Sequence, residues 1–185
     1  MKIYFHLNIE SFSNCYAVVN EKTSEAVIID PGKITKEMIN QLEDNHYRPV
    51  AVLVTHNHED QLRGLKTFLK IYDADVYAAE SNIFGIQTKV IHGEGKLNLA
   101  GLEIEYFPVP GHSPDSIVYK IGTVLFSGDV IGAGTIGETN SNYSKMILKR
   151  GIEQKILSQQ EDTTIMPGHG PITTVAAERS FNIDI

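Results

Sequence analysis

Residues 50–55 read Val-Ala-Val-Leu-Val-Thr, a continuous apolar run rich in valine. A half-exposed strand alternates apolar and polar positions, whereas an unbroken run is the pattern of a strand buried on both faces. Such a strand needs cover above and below, so the chain must fold in layers. The rest of the sequence supplies that cover. Thr35 to His46 reads as a helix, with Thr35 as N-cap and Met38, Ile39 and Leu42 on one face. Leu62, Leu65, Leu69 and Tyr72 recur at helical spacing just beyond the run. Met146, Ile147, Ile152, Ile156 and Leu157 form an apolar stripe on a helix expected over about 142–159, and a last helix is expected near Thr173. Strand patterns stand at KIYFHLN, CYAVVN, AVIID and ADVYAA, the third ending in the turn DPGK. Residues 88–109 read as strand, turn and hairpin, and residues 116–129 as a hairpin turning at Gly122. Helices recurring among strands and hairpins predict an α/β domain with mixed sheets, one domain over residues 1–185.

Composition narrows the partners. The chain is 42% hydrophobic and 21% charged, which argues against disorder. Its 16 basic and 23 acidic residues leave a net charge of −7, which argues against nucleic acid or an anionic membrane as partner; a small-molecule substrate is the partner expected. Cys15 is the single cysteine, so no intrachain disulfide forms, and a reducing compartment is expected. On its strand it reads as a small buried apolar residue. His6, Asn8 and Glu10 interrupt the N-terminal segment, which therefore does not read as a signal peptide. No run approaches the roughly 20 apolar residues of a spanning helix. A cytoplasmic location is expected.

Four of the seven histidines stand in compact loops just after apolar runs. His56 and His58 lie in THNHEDQ, His112 in FPVPGHSPDS and His169 in TIMPGHGPIT; LFSGD places Asp129 at the end of another apolar strand. A buried strand end has no packing reason to prefer imidazole, and loops at strand ends commonly carry sites. Histidine with carboxylate and no cysteine suits zinc, iron or manganese. Such a cation brings the pKa of bound water toward neutrality and makes hydroxide available as a nucleophile. His6, His46 and His92 belong to no such pattern.

THNHED, PGHSPDS, LFSGD and PGHGP, in this order and approximate spacing, resemble the metallo-β-lactamase superfamily, and within it the glyoxalase II-like hydrolases. The likeness runs from NCYAVVN and AVIIDPG to PGHGPITTVAAER. It implies an αβ/βα four-layer sandwich, the metallo-β-lactamase fold, with two mixed β-sheets and helices on the outer faces. It also implies one or two divalent transition metal ions, zinc first, with iron or manganese as alternatives. By resemblance, His56, His58 and His112 are ligands of a first metal, and Asp129 bridges two metals or completes the first site. Asp60 and His169 resemble ligands of a second metal. Asp60 is also the catalytic residue expected to handle the proton of a metal-bound hydroxide that attacks a small ester or thioester.

Three departures qualify the likeness. The family motif runs HxHxDH, and here its last position is Gln61. Gln61 reads either as a doubtful second-site ligand, giving an asymmetric site whose second position is weak, empty or filled by a harder metal, or as a first-turn helix residue facing solvent. Only a helix-length stretch follows PGHGP, so a counterpart of the glutathione-binding helical domain of glyoxalase II is not expected. In GTIGETN, where relatives often carry GSIGRTD, Glu138 and Asn140 replace a basic and an acidic residue. This change either disfavours anionic substrates or alters a surface loop. Tyr143, Lys145, Lys149 and Arg150 read as the entrance to the site or as the polar face of a helix. The alternative functions are a persulfide dioxygenase-like enzyme with a single iron and a binding protein with a degenerate site.

Overall fold

The computed structural model describes all 185 residues, Met1–Ile185. Its first half builds a six-stranded sheet in sequential order: β1 (Lys2–Asn8), β2 (Ser13–Asn20), β3 (Glu25–Ile29), β4 (Arg48–Leu53), β5 (Asp75–Ala78) and β6 (Lys89–Val90). The first three strands run antiparallel and the last four run parallel to one another, so the sheet is mixed. The second half builds another six-stranded sheet from β7 (Gly95–Leu99), β8 (Leu102–Pro108), β9 (Ile117–Ile121), β10 (Val124–Gly128), β11 (Thr164–Pro167) and β12 (Thr173–Thr174). There β10 and β11 are parallel and the other pairs antiparallel.

The two faces of each strand explain the layers. In β2–β4, one set of residues, Tyr16, Val18, Val27, Ile29, Ala51 and Leu53, meets Ile104, Ile117, Tyr119, Ile121, Val124 and Phe126 of the second sheet. The alternate set, Cys15, Ala17, Val19, Ala26, Ile28 and Val52, packs outward on Met38, Leu42, Leu62, Leu65 and Phe68. Those five come from α1 (Lys36–Asp44), α2 (Glu59–Leu62) and α3 (Leu65–Ile71). On the far side, Val118, Leu125 and Ile165 pack against Leu148, Ile152, Ile156 and Val175, from α4 (Asn142–Gly151), the π-helical turn that continues it and α5 (Val175–Phe181). Each large aliphatic or aromatic side chain sealed this way contributes about 1.5–3 kcal/mol. The four layers are those expected of an αβ/βα sandwich with helices on the outer faces.

Local signals set several boundaries. Thr35 Oγ1 accepts from Met38 N and starts α1. Ser141 and Thr174 cap α4 and α5 in the same way. The leucine-spaced segment after THNHED is two helices rather than one. Gly64 breaks it because the chain runs against Pro31 there: Gly64 N donates to Pro31 O at 2.9 Å, and a Cβ on Gly64 would lie 2.6 Å from that oxygen. The stripe over 142–159 is likewise divided, with α4 passing at Ile152 into a five-residue π-helical turn. No helix is long and apolar enough to cross a membrane.

Candidate metal centre

The four histidine and aspartate loops meet along one edge of the sandwich, where both sheets end. Ring nitrogens of His56, His58 and His112 and a carboxylate oxygen of Asp129 all lie within 4.8 Å of one another. His56 Nε2 is 3.0 Å from His58 Nδ1, and His112 Nε2 is 3.2 Å from the same atom. Asp129 Oδ2 is 3.5 Å from His56 Nε2 and 3.7 Å from His112 Nε2. A tetrahedral ion with bonds of ~2.0–2.2 Å requires ligand atoms roughly 3.3–3.6 Å apart. The four separations bracket that range.

The surrounding groups decide which nitrogen of each ring carries a lone pair. Asp30 ends β3 at a positive φ of 48°, a conformation tolerated by aspartate, and turns its buried carboxylate to the end of β4. Thr55 N donates to Asp30 Oδ1 at 2.8 Å, and Thr55 Oγ1 donates to Oδ2 at 2.6 Å. With its one proton committed, the hydroxyl accepts from His56 Nδ1 at 3.0 Å, which leaves the His56 Nε2 lone pair facing the cluster. His112 Nδ1 donates to the Glu138 carbonyl at 2.9 Å, so its Nε2 lone pair also faces inward. Asn57 N donates to Asp115 Oδ2 at 2.7 Å and ties the first two histidines to the His112 loop. The donor set therefore fits a divalent cation by number and spacing, and His56 and His112 fit it by tautomer.

Electrostatics agree. Burial alone would raise the Asp129 pKa, but the hydrogen bond from His169 and the neighbouring His56 imidazole reverse this and hold its carboxyl well below the usual range. Burial works against a charged His56, and the Asp129 carboxylate outweighs it and raises the pKa. His58 is lowered, first by burial and then by the two neighbouring imidazoles. Burial also pushes the Asp30 carboxyl up to about 6, against the stabilising influence of His56 and Thr55.

Asp60 and His169 stand beside this cluster. His169 lies between two carboxylates, with Nδ1 at 2.8 Å from Asp129 Oδ1 and Nε2 at 3.1 Å from Asp60 Oδ2. The cleft above them has a volume of about 440 Å³, with His58, Asp60, His112, Glu138 and His169 in its walls and no lysine or arginine. Lys149 and Arg150 line a separate groove along α4, and Lys145 pairs with Asp184. Asn140 is outside the cleft, while Glu138 is exposed on its rim.

A family model described as the metallo-beta-lactamase superfamily matches residues 9–83 and 77–176. The chain belongs to this superfamily. A probable metallo-hydrolase of Bacillus subtilis is 28% identical, the alignment covering 92% of this chain and 90% of the relative. The crystal structure of BLEG-1 B3 metallo-beta-lactamase superposes with a TM-score of 0.86 at 29% identity, covering 98% of both chains. That of ETHE1 from Myxococcus xanthus gives the same TM-score at 23% identity, covering 99% of this chain and 84% of that one. The likeness to ETHE1 shows the fold alone.

Within the superfamily fold, one sequence expectation is corrected. Gln61 does not face solvent: it is fully buried, and its Nε2 lies 3.2 Å from both Asp129 Oδ1 and His169 Nδ1. The first turn of α2 packs under the site, so its inner positions are core positions. Sequence reading also gave no role to Asp30 or Thr55, nor to Asn14 and Tyr16 of β2. Asn14 Nδ2 donates to the carbonyls of Pro167 and Gly170 at 2.9 and 2.8 Å, and Tyr16 Oη donates to Pro167 O at 2.7 Å. These contacts hold the His169 loop of the second sheet against the first. Cys15 is the buried apolar residue expected, its thiol pKa pushed up by burial.

Proposed function

We propose that the chain is a metal-dependent hydrolase of small ester or thioester substrates, with zinc as the metal of first choice. The observation that carries this reading is the convergence of three imidazole nitrogens and Asp129 Oδ2 at ligand spacing, beneath an open cleft. His56, His58, His112 and Asp129 would hold the ion. A divalent cation bound there lowers the pKa of a coordinated water toward neutrality and offsets negative charge developing on a carbonyl oxygen.

The remaining steps belong to the chain's own groups. Asp60 projects into the cleft, and its Oδ2, held by His169 Nε2 at 3.1 Å, is the acceptor for the proton of the attacking water. His169 and Gln61 fix Asp129 from its Oδ1 side, leaving Oδ2 to the cluster. The hydrogen bond from His112 Nδ1 to the Glu138 carbonyl holds that ring upright on the cleft wall. A cleft without cationic side chains and with Glu138 on its rim favours neutral acyl groups over carboxylate-bearing ones.

Metal analysis of protein expressed without added metal, followed by a panel of esters and thioesters, tests the reading. The expected result is bound transition metal and turnover on the panel, with Asp60→Ala losing most of the rate while keeping the metal. Metal-loaded protein that is inert on every ester and thioester, or that instead consumes oxygen with a persulfide and ferrous iron, overturns it.

A further inference from the structure

Beside the histidine cluster lies a second gathering of cation-binding chemistry: the Asp60 carboxylate, the His169 imidazole and the Oδ1 side of Asp129. Its groups are joined by hydrogen bonds to one another. An imidazole gives an ion one nitrogen, and its ligand partners must lie on the same side of the ring as that nitrogen. His169 instead turns Nδ1 to Asp129 Oδ1 at 2.8 Å and Nε2 to Asp60 Oδ2 at 3.1 Å. The two carboxylates thus face different nitrogens of the ring, and His169 is engaged by both as a hydrogen-bonded bridge.

Gln61 closes the remaining approach. Its Nε2 lies 3.2 Å from Asp129 Oδ1, so the amide points its donor end, which has no lone pair for a metal, at the oxygen that a second ion would use. The reversed amide would set its carbonyl oxygen against the carboxylate oxygen, acceptor to acceptor; Nε2 therefore donates to Asp129 Oδ1 and not to His169 Nδ1, whose own proton goes to the same oxygen at 2.8 Å. In the orientation adopted, Oε1 is the buried atom left without a partner. The amide has no room to swing away: Gln61 is fully buried, and Gly168 approaches so closely that a Cβ there would lie 2.3 Å from Nε2 and 2.5 Å from Asp129 Oδ1.

We propose that this chain holds a single metal ion, in the cluster of His56, His58, His112 and Asp129, and that Asp60, His169 and the Gln61 carboxamide form a hydrogen-bonded bridge where a second ion would otherwise sit. Gln61 is a positioning residue in this arrangement. Its amide ties down Oδ1 of Asp129, and Oδ2 is left to the single ion. The inference rests on the metal reading of the cluster.

Metal-free protein titrated with zinc, and separately with manganese, tests it by stoichiometry and by the magnetic interaction between paramagnetic ions, neither of which depends on turnover. Wild-type protein is expected to take up one ion per chain and to give the manganese spectrum of an isolated ion. Gln61→His supplies a lone pair and Gln61→Glu, of the same shape as glutamine, supplies a carboxylate. At least one of these variants, shown to be folded by circular dichroism, is expected to take up a second ion and to show coupled manganese. His169→Ala is expected to keep the single ion. Two coupled ions in the wild type, loss of the single ion in His169→Ala, or folded Gln61 variants that both remain at one ion would overturn the proposal. No ion in the wild type would instead refute the metal reading itself, and the proposal with it.

Discussion

Thr55→Val is the sharpest probe of how the protein prepares His56. The substitution keeps the side chain's shape and removes one hydroxyl, which both donates to Asp30 Oδ2 at 2.6 Å and accepts from His56 Nδ1 at 3.0 Å. Thr55 is 2% exposed, so no water replaces the lost group. A hydrogen bond to a buried carboxylate contributes ~1.5–3 kcal/mol, and a buried N–H left without an acceptor costs ~1–3 kcal/mol, so metal-free protein should lose about 3–5 kcal/mol. At a urea slope of ~2 kcal/mol per M, the unfolding midpoint falls by roughly 1.5–2.5 M. With Nδ1 no longer held as the protonated nitrogen, His56 spends less time with its Nε2 lone pair on the cluster. Loss of such a supporting contact weakens metal binding about 10- to 100-fold. Competition for zinc against a chromophoric chelator measures that loss, and Thr55→Ser, which restores the hydroxyl without the methyl, serves as control. If Thr55→Val binds zinc within about twofold of Thr55→Ser, the hydroxyl does not set the His56 tautomer and the reasoning fails.

Two further predictions concern the same edge of the sandwich. Asp30 has a folded pKa of about 6 against an ordinary 3.8, so between these values the folded state binds the proton more strongly than the unfolded one. Its contribution is therefore most stabilising below about pH 4, falls as pH rises toward 6 and is flat above, a change on the order of 2–3 kcal/mol. Urea melts of metal-free wild type and Asp30→Asn across this range should show the wild type losing ground to the variant with rising pH, and an unchanging difference would refute it. In Gly168→Ala, the new Cβ meets Gln61 Nε2 at 2.3 Å and Asp129 Oδ1 at 2.5 Å. Asp129 must move, and zinc affinity should fall at least about tenfold while the circular dichroism spectrum stays that of the wild type.

The layered fold was legible because its signals are local. Unbroken apolar runs at 26–29 and 50–54 mark strands buried on both faces, and Thr35 and Met38 announce a helix within a few residues of each other. The gathering of His56, His58, His112 and Asp129 was legible because each stands where an apolar strand ends. Less legible were features made by chain segments far apart in sequence. The break at Gly64 depends on Pro31, and the tautomer of His56 depends on Asp30, which in sequence is only part of a Pro-Gly turn. Asn14 looks like one more residue before an apolar strand until the Pro167 and Gly170 carbonyls arrive beside it. The burial of Gln61 follows from which face of a four-residue helix lies against the sheet, too short a stretch for periodicity to fix.

The site is assembled across a seam. His56, His58, Asp60 and Gln61 come from the half of the chain that forms the first sheet, and His112, Asp129 and His169 from the half that forms the second. Neither half carries a complete donor set, although the two halves share the apolar layer between the sheets. The seam makes the molecule a coincidence detector for its own folding. On the proposed metal reading, if the chain is divided in the turn region between β5 and β6, the two fragments should reassemble more tightly when zinc is supplied than when it is withheld, because only the joined halves bring the four proposed ligands together. Metal capture then reports the quality of sheet pairing, so damage to the interface far from any histidine becomes visible as lost metal before it becomes visible as lost structure.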